Sequence, residues 1–237
     1  MCILNFLPPT VGRIEKWESK LKYKPIIKAL SNKDNKIKSK ALNSLDTIMY
    51  SHWSWIPMKD QLLMRNGILE ITKSLNKADG RLVFDCVYAL RHFEGEEVRD
   101  FYHSILKLKD IKELYEGDHL LTWIFIGLCE KSGDGSTCEL IMDLIEHNRF
   151  QFWEISKFTE YGHILLRRAI RTEGFDSEFL NIYCSKALEN KLDEGGKIAS
   201  SLLSKAFDKN ENHSAKKEVK AWLNSKHLAV RKYADHF

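Results

Sequence analysis

Proline is scarce in this 237-residue chain, and its placement says more than its number: Pro8, Pro9, Pro25 and Pro57, with none after residue 57. Residues 58–237 therefore run without the strongest helix breaker. Strand-like alternation is equally rare. Long apolar runs are missing too: the opening MCILNFL reaches a Pro-Pro break after seven residues, with no basic lead-in, which excludes a membrane span and a secretory signal there. No C-x-x-C pair exists among Cys2, Cys86, Cys129, Cys138 and Cys184. That pattern suits reduced, packed thiols in a cytoplasmic protein better than a disulfide framework or a zinc site. Arginine is outnumbered by lysine, 10 to 27, which weakens any case for bidentate phosphate recognition.

Charge is present in both signs but unevenly. Residues 1–40 carry ten Lys/Arg and three acids, residues 41–204 carry 19 and 26, and residues 205–237 carry eight and four. Basic ends around an acidic middle do not make the continuous positive face that a nucleic-acid binder needs, and fit a partner with its own charge pattern.

What is present is helical periodicity. Apolar residues recur at spacings of three and four, as in Leu62, Leu63, Ile68, Leu69, Ile71 and Leu75, and polar clusters (NKADG, EKSGDGST, RTEGFDSE) punctuate them. Ser136 and Glu139 have capping-box spacing, which places a helix start just after the glycines of SGDGST. Those glycines, without a following lysine, do not match a phosphate-binding loop.

The last sixteen residues, WLNSKHLAVRKYADHF, supply a ruler. With Leu223 at zero, His227 is at +4, Val230 at +7, Arg231 at +8 and Ala234 at +11. The same offsets from Leu30 give Asp34, Ile37, Lys38, Ala41 and, at +15, Leu45. Leu75 gives Asp79, Leu82, Cys86 and Leu90; Leu114 gives Asp118, Leu121, Phe125 and Cys129. Phe158 gives Gly162, Leu165 and Ala169, and Leu192 gives Gly196, Ala199, Leu203 and Phe207. In each unit the residue at zero is expected to end one helix, +4 to cap the next, and +7, +11 and +15 to line its buried face. A hairpin with one apolar face must be covered by neighbours, so such units stack.

These runs resemble the HEAT-repeat and armadillo-like superfamily, most closely Leu30 to Leu45 and Leu223 to Ala234, over residues 22–237. The basic residue that HEAT-like units usually carry after the +7 position is present only as Lys38 and Arg231; Val83, Thr122 and Leu166 stand there in the middle units. The resemblance implies an all-α, right-handed α-solenoid of about six HEAT-like hairpins, with residues 1–21 as a separate N-terminal segment. The polar final helix is expected to be a capping unit.

HEAT-like members are mostly binding scaffolds, and the enzymatic exceptions can be tested. Di-iron hydroxylase-like members carry His-Glu pairs, and none of the nine histidines here precedes Glu. Alkylpurine DNA glycosylase-like members place an Asp four residues after a Trp; after Trp53 and Trp55 that position holds Pro57 and Lys59, with Asp60 one step beyond. No catalytic residue, metal site or cofactor is therefore expected. Trp53 and Trp55 are expected to plug the junction between two units.

Positions +6, +10 and +13 of the second helices should face away from the packed stripe: Lys36, Lys40 and Asn43; Arg81, Asp85 and Tyr88; Leu120, Ile124 and Gly127; Ile164, Arg168 and Arg171. The third of these helices is apolar nearly all round, which fits either a helix covered on every side or an apolar groove floor containing Trp123. The second option makes Arg81, Asp85, Tyr88, Trp123, Arg168 and Arg171 a protein-binding site, an apolar centre inside a charged rim. The expected function is a monomeric, non-catalytic binder of another protein, an adaptor or an immunity-type inhibitor. The alternative is a nucleic-acid-binding or glycosylase-like protein using the basic first 40 residues; no membrane partner is expected.

Overall fold

The computed structural model describes residues 8–75, 79–108, 117–147, 152–189, 193–207 and 220–235. The described residues are helical, with no strand among them, which is the all-α class expected. The chain divides into two compact units, Met1–Ile124 and Phe125–Phe237.

In the first unit the helices are α1 (Val11–Glu18), α2 (Tyr23–Ala29), α3 (Asn35–His52), α4 (Met58–Thr72), α5 (Gly80–Leu90) and α6 (Glu96–Leu106), with α7 (Gly117–Gly127) crossing the boundary in sequence. The starts follow local chemistry. Asp34 caps α3 by accepting the Lys36 N–H at 2.8 Å, just after Leu30 closes α2, as the ruler requires. Asp79 stands at the N-cap of α5 without capping it; its carboxylate accepts from the Asn35 side chain at 2.9 Å instead. Helix α3 packs on α1, α2 and α5, while α4 packs on α2, α5 and α6, so alternate helices form two layers. Helix α1, inside the segment read as lying outside the domain, is tied to α3 by Lys40–Glu15 at 3.2 Å and by the Ser44 hydroxyl donating to Glu18.

Helix α1 ends unusually. Lys22 N–H bonds to the Trp17 carbonyl and Leu21 N–H to the Glu18 carbonyl, both at 2.8 Å, the paired bonds of a Schellman turn. The left-handed position of that turn, normally glycine, is Leu21 with φ 51°, and its side chain is 46% exposed. A branched residue pays about 1–2 kcal/mol for this conformation, and packing returns little of it.

In the second unit a π-turn over residues 128–132 leads to α8 (Gly135–Glu146), followed by α9 (Phe152–Glu173), α10 (Glu178–Glu189), α11 (Glu194–Ala206) and α12 (Leu228–Ala234). Asp134, not Ser136, caps α8, in a reciprocal box with Thr137; the start lies two residues earlier than the Ser136–Glu139 spacing suggests. Helix α9 packs on α8 and α11, and α10 packs on α8, α11 and α12. Arg167 of α9 closes the end of α11 by donating to the carbonyls of Ala206 (2.7 Å) and Lys205 (2.8 Å). Asp176 joins the turn before α10 to the turn before α12, accepting from Lys226 N–H and the Ser225 hydroxyl, each at 2.8 Å. Those bonds, the Lys226 N–H first, lower its pKa.

The +7, +11 and +15 stripe is buried wherever the ruler placed an apolar residue, from Ile37, the most exposed at 8%, to Ala234. Three further expectations fail. Phe158 does not end a helix; it lies inside α9, buried at 1% exposure against Phe125 with ring centroids 5.7 Å apart. Leu120, Ile124 and Gly127 do not face outward; the two side chains are fully buried, so α7 is covered there rather than forming an apolar floor. Trp55 plugs nothing, being 83% exposed, whereas Trp53 does pack, edge-on to Phe93 at 5.3 Å.

Replacing Leu21 with glycine is expected to raise stability by about 1 kcal/mol in urea unfolding, because the strain is relieved and little packing is lost. A loss of stability would mean that the Leu21 side chain contributes packing.

Candidate functional site

Two polar clusters interrupt the apolar contact between α3 and α5, both built around a buried carboxylate. Asp46, 6% exposed, follows Leu45, the +15 residue of α3, and Arg91 follows Leu90, the +15 residue of α5. The two meet: Arg91 Nη1 lies 2.8 Å from Asp46 Oδ1 and Nη2 lies 3.3 Å from Oδ2. His92 Nε2 hydrogen-bonds to the same Oδ1 at 2.8 Å, and the Trp53 ring stacks on His92 at 5.9 Å.

This network fixes Arg91 against two aromatic rings. Arg91 Nη1 donates to the Tyr88 carbonyl at 2.7 Å, and the guanidinium carbon lies 3.6 Å from the Tyr88 ring centroid and 4.8 Å from that of Trp123. The two rings meet edge to face at 4.6 Å, and the Phe84 ring stacks on Tyr88 at 6.1 Å. Tyr88 and Trp123 are both half-buried, so each keeps part of its surface in water. Cation–π contact, carboxylate pairing and an edge-to-face pair hold a platform of the residue types that dominate protein interfaces.

Of the six residues expected to form the site, Tyr88 and Trp123 are brought together. Arg81 is exposed and pairs with Asp85, its Nε 3.1 Å from Oδ1. Asp85 is a correction: at 1% exposure it faces α3, accepting from the Ser39 hydroxyl, and offers no rim charge. Burial raises its pKa, with Ser39 and Arg81 pulling the other way. Beside it a shallow recess of about 240 Å³ is lined by Asn35, Lys36, Ser39, Asp79, Arg81 and Leu82. Arg168 (half-buried) and Arg171 (exposed) lie on α9 in the second unit, and among the described residues neither pairs with an acid. Asp46, Arg91 and His92 were not anticipated, although extending the ruler by one position, to +16, finds Asp46 and Arg91.

The chemistry elsewhere is sparse. Cys86, Cys129, Cys138 and Cys184 are buried, and burial pushes each thiol pKa up, away from the thiolate form a nucleophile needs. Among the described residues no three His, Cys, Asp or Glu gather as metal ligands, and no helix is long and apolar enough to cross a membrane.

No family model and no curated protein matches the chain. Among solved structures, the crystal structure of an engineered protein aligns with 96% of this chain at 16% identity and a TM-score of 0.43. The alignment spans 60% of that engineered chain's length.

The raised pKa of Asp85 has a testable sign. The folded protein holds this proton more readily than the unfolded chain does, so stability falls as pH rises above the ordinary carboxylate range near 4. Asp85→Asn removes that loss. In urea unfolding from about pH 4 to pH 7 the variant should gain on the wild type as pH rises; a gain as pH falls would contradict the assignment.

Proposed function

We propose that this chain is a right-handed α-solenoid of about six HEAT-like hairpins that binds another protein, without catalysis, through the second helices of its hairpins. The carrying observation is the Arg91 platform, where half-buried Tyr88 and Trp123 are held by a guanidinium that buried Asp46 fixes in place. A Trp/Tyr pair already held in place loses little side-chain entropy on binding, which is the property of an interface anchor. The two-layer packing within each unit supports the repeat reading. In the second unit, Arg168 and Arg171 on α9 have no acidic partner among the described residues and offer charge to acidic groups of a partner. The buried thiols support the non-catalytic reading. So does Asp46, whose two oxygens are taken by Arg91 and His92 and are therefore not offered as a glycosylase-like base. An adaptor or an immunity-type inhibitor, cytoplasmic and monomeric, fits this description.

A second reading, nucleic-acid contact through the first 40 residues, draws on lysines there without acidic partners. Retention on DNA or RNA with a steep salt dependence would replace the protein-partner reading.

The direct test is to identify a co-purifying protein by mass spectrometry and measure its affinity for variants. Trp123→Ala should weaken binding about tenfold or more while circular dichroism stays helical, and Arg168→Glu should weaken it less. Unchanged affinity in a folded Trp123→Ala protein would remove the platform from the interface.

A further inference from the structure

The first unit carries a second exposed surface, distinct from the platform, whose composition calls for a different kind of contact. Tyr23 Oη donates to Asp60 at 2.8 Å, and Lys24 Nζ lies 3.9 Å from the same carboxylate, which joins the start of α2 to the first turn of α4. Two residues before Tyr23 is Leu21, 46% exposed at the glycine position of its turn; two residues before Asp60 is Met58, 77% exposed. Trp55, 83% exposed, lies three residues further back, and Leu62, 47% exposed, one helical turn further on. Four exposed apolar side chains, Leu21, Trp55, Met58 and Leu62, thus lie within five residues of one end or the other of this anchoring bond.

The charges around them have one sign. Among the described residues Lys20, Lys22 and Lys59 are exposed without an acidic partner, and Lys24 has only the long contact to Asp60. The acids of this region are spent: Asp60 is 3% exposed and holds Tyr23, while Glu15 and Glu18 are bound to Lys40 and Ser44. Bare lysines around a protruding leucine, methionine and tryptophan complement a surface with anionic charge outside and hydrocarbon beneath it. Lysine suits a diffuse layer of headgroups, tryptophan favours the boundary between headgroup and acyl chain, and the aliphatic residues enter below it. A phosphate backbone would reward the lysines but not Leu21 or Met58. The backbone strain at Leu21 then has a use, because it projects the side chain outward from the turn.

We propose that this edge, centred on Leu21, Trp55 and Met58 and ringed by Lys20, Lys22, Lys24 and Lys59, binds peripherally to an anionic lipid surface. The lack of a membrane-crossing helix does not bear on this mode of attachment. The inference is independent of the protein-binding reading, which concerns other residues.

The experiment uses the full chain with phosphatidylcholine vesicles, phosphatidylserine-containing vesicles and duplex DNA, read by co-sedimentation and tryptophan fluorescence. The protein should bind the phosphatidylserine vesicles, release with added salt, and ignore pure phosphatidylcholine. Its emission should shift to the blue on binding, and Trp55→Phe should remove most of that shift. Lys20→Gln with Lys22→Gln should lower partitioning about 25-fold, from roughly a fivefold loss per lysine. Leu21→Gly should lower it about three- to tenfold while the urea midpoint holds or rises, which separates lost insertion from lost folding. The proposal is overturned by absent binding to anionic vesicles at low salt, by binding that Leu21→Gly leaves unchanged, or by retention on DNA without retention on vesicles.

Discussion

The contact between α3 and α5 organises the first unit, and its specificity rests on the buried pairing of Asp46 with Arg91. Apolar stripes such as Ile37–Ala41–Leu45 and Leu82–Cys86–Leu90 drive the helices together, but an apolar stripe alone tolerates sliding. A carboxylate at 6% exposure does not tolerate it. Displacement by one turn would leave Asp46 without Arg91 and His92, and an uncompensated buried charge costs about 3–5 kcal/mol. The pair therefore adds little net stability compared with apolar residues, but it strongly disfavours the wrong register. Asp85 with Ser39 does the same further along the seam, at the cost of a carboxyl group that resists ionisation.

The platform follows from that register. Arg91 can lie across Tyr88 and Trp123 only because its far side is held by Asp46. Platform and fold thus share one guanidinium, and a change that frees it should disturb both. The edge around Leu21 is built on the opposite principle: its apolar groups are strained or exposed rather than locked. The second unit shows the same reliance on polar fasteners at turns, with Asp176 joining the approaches to α10 and α12, and Arg167 closing α11.

The sequence made the buried stripe legible because helical periodicity is written once per turn; the offsets of the last sixteen residues found positions buried in five other stretches. Helix ends were less legible. Phe158 fits the offset of an anchor but sits mid-helix, since the spacing of buried residues is indifferent to whether a turn intervenes. The outward face was least legible, because polarity was taken as exposure. Asp85 is polar and buried, its cost met by Ser39 and Arg81, while Trp55 and Met58 are apolar and exposed. Asp46 and Arg91 escaped notice because a pair 45 residues apart leaves no periodic trace; only their shared position after the +15 leucine hints at it.

The central claim is that Asp46 and Arg91 act as one unit, and a double-mutant cycle on unfolding free energy measures it directly. Asp46→Ala and Arg91→Ala should each be strongly destabilising, and the double variant should be more stable than the sum of the two losses by about 2 kcal/mol or more. Additive losses, with a coupling energy near zero, would contradict the account.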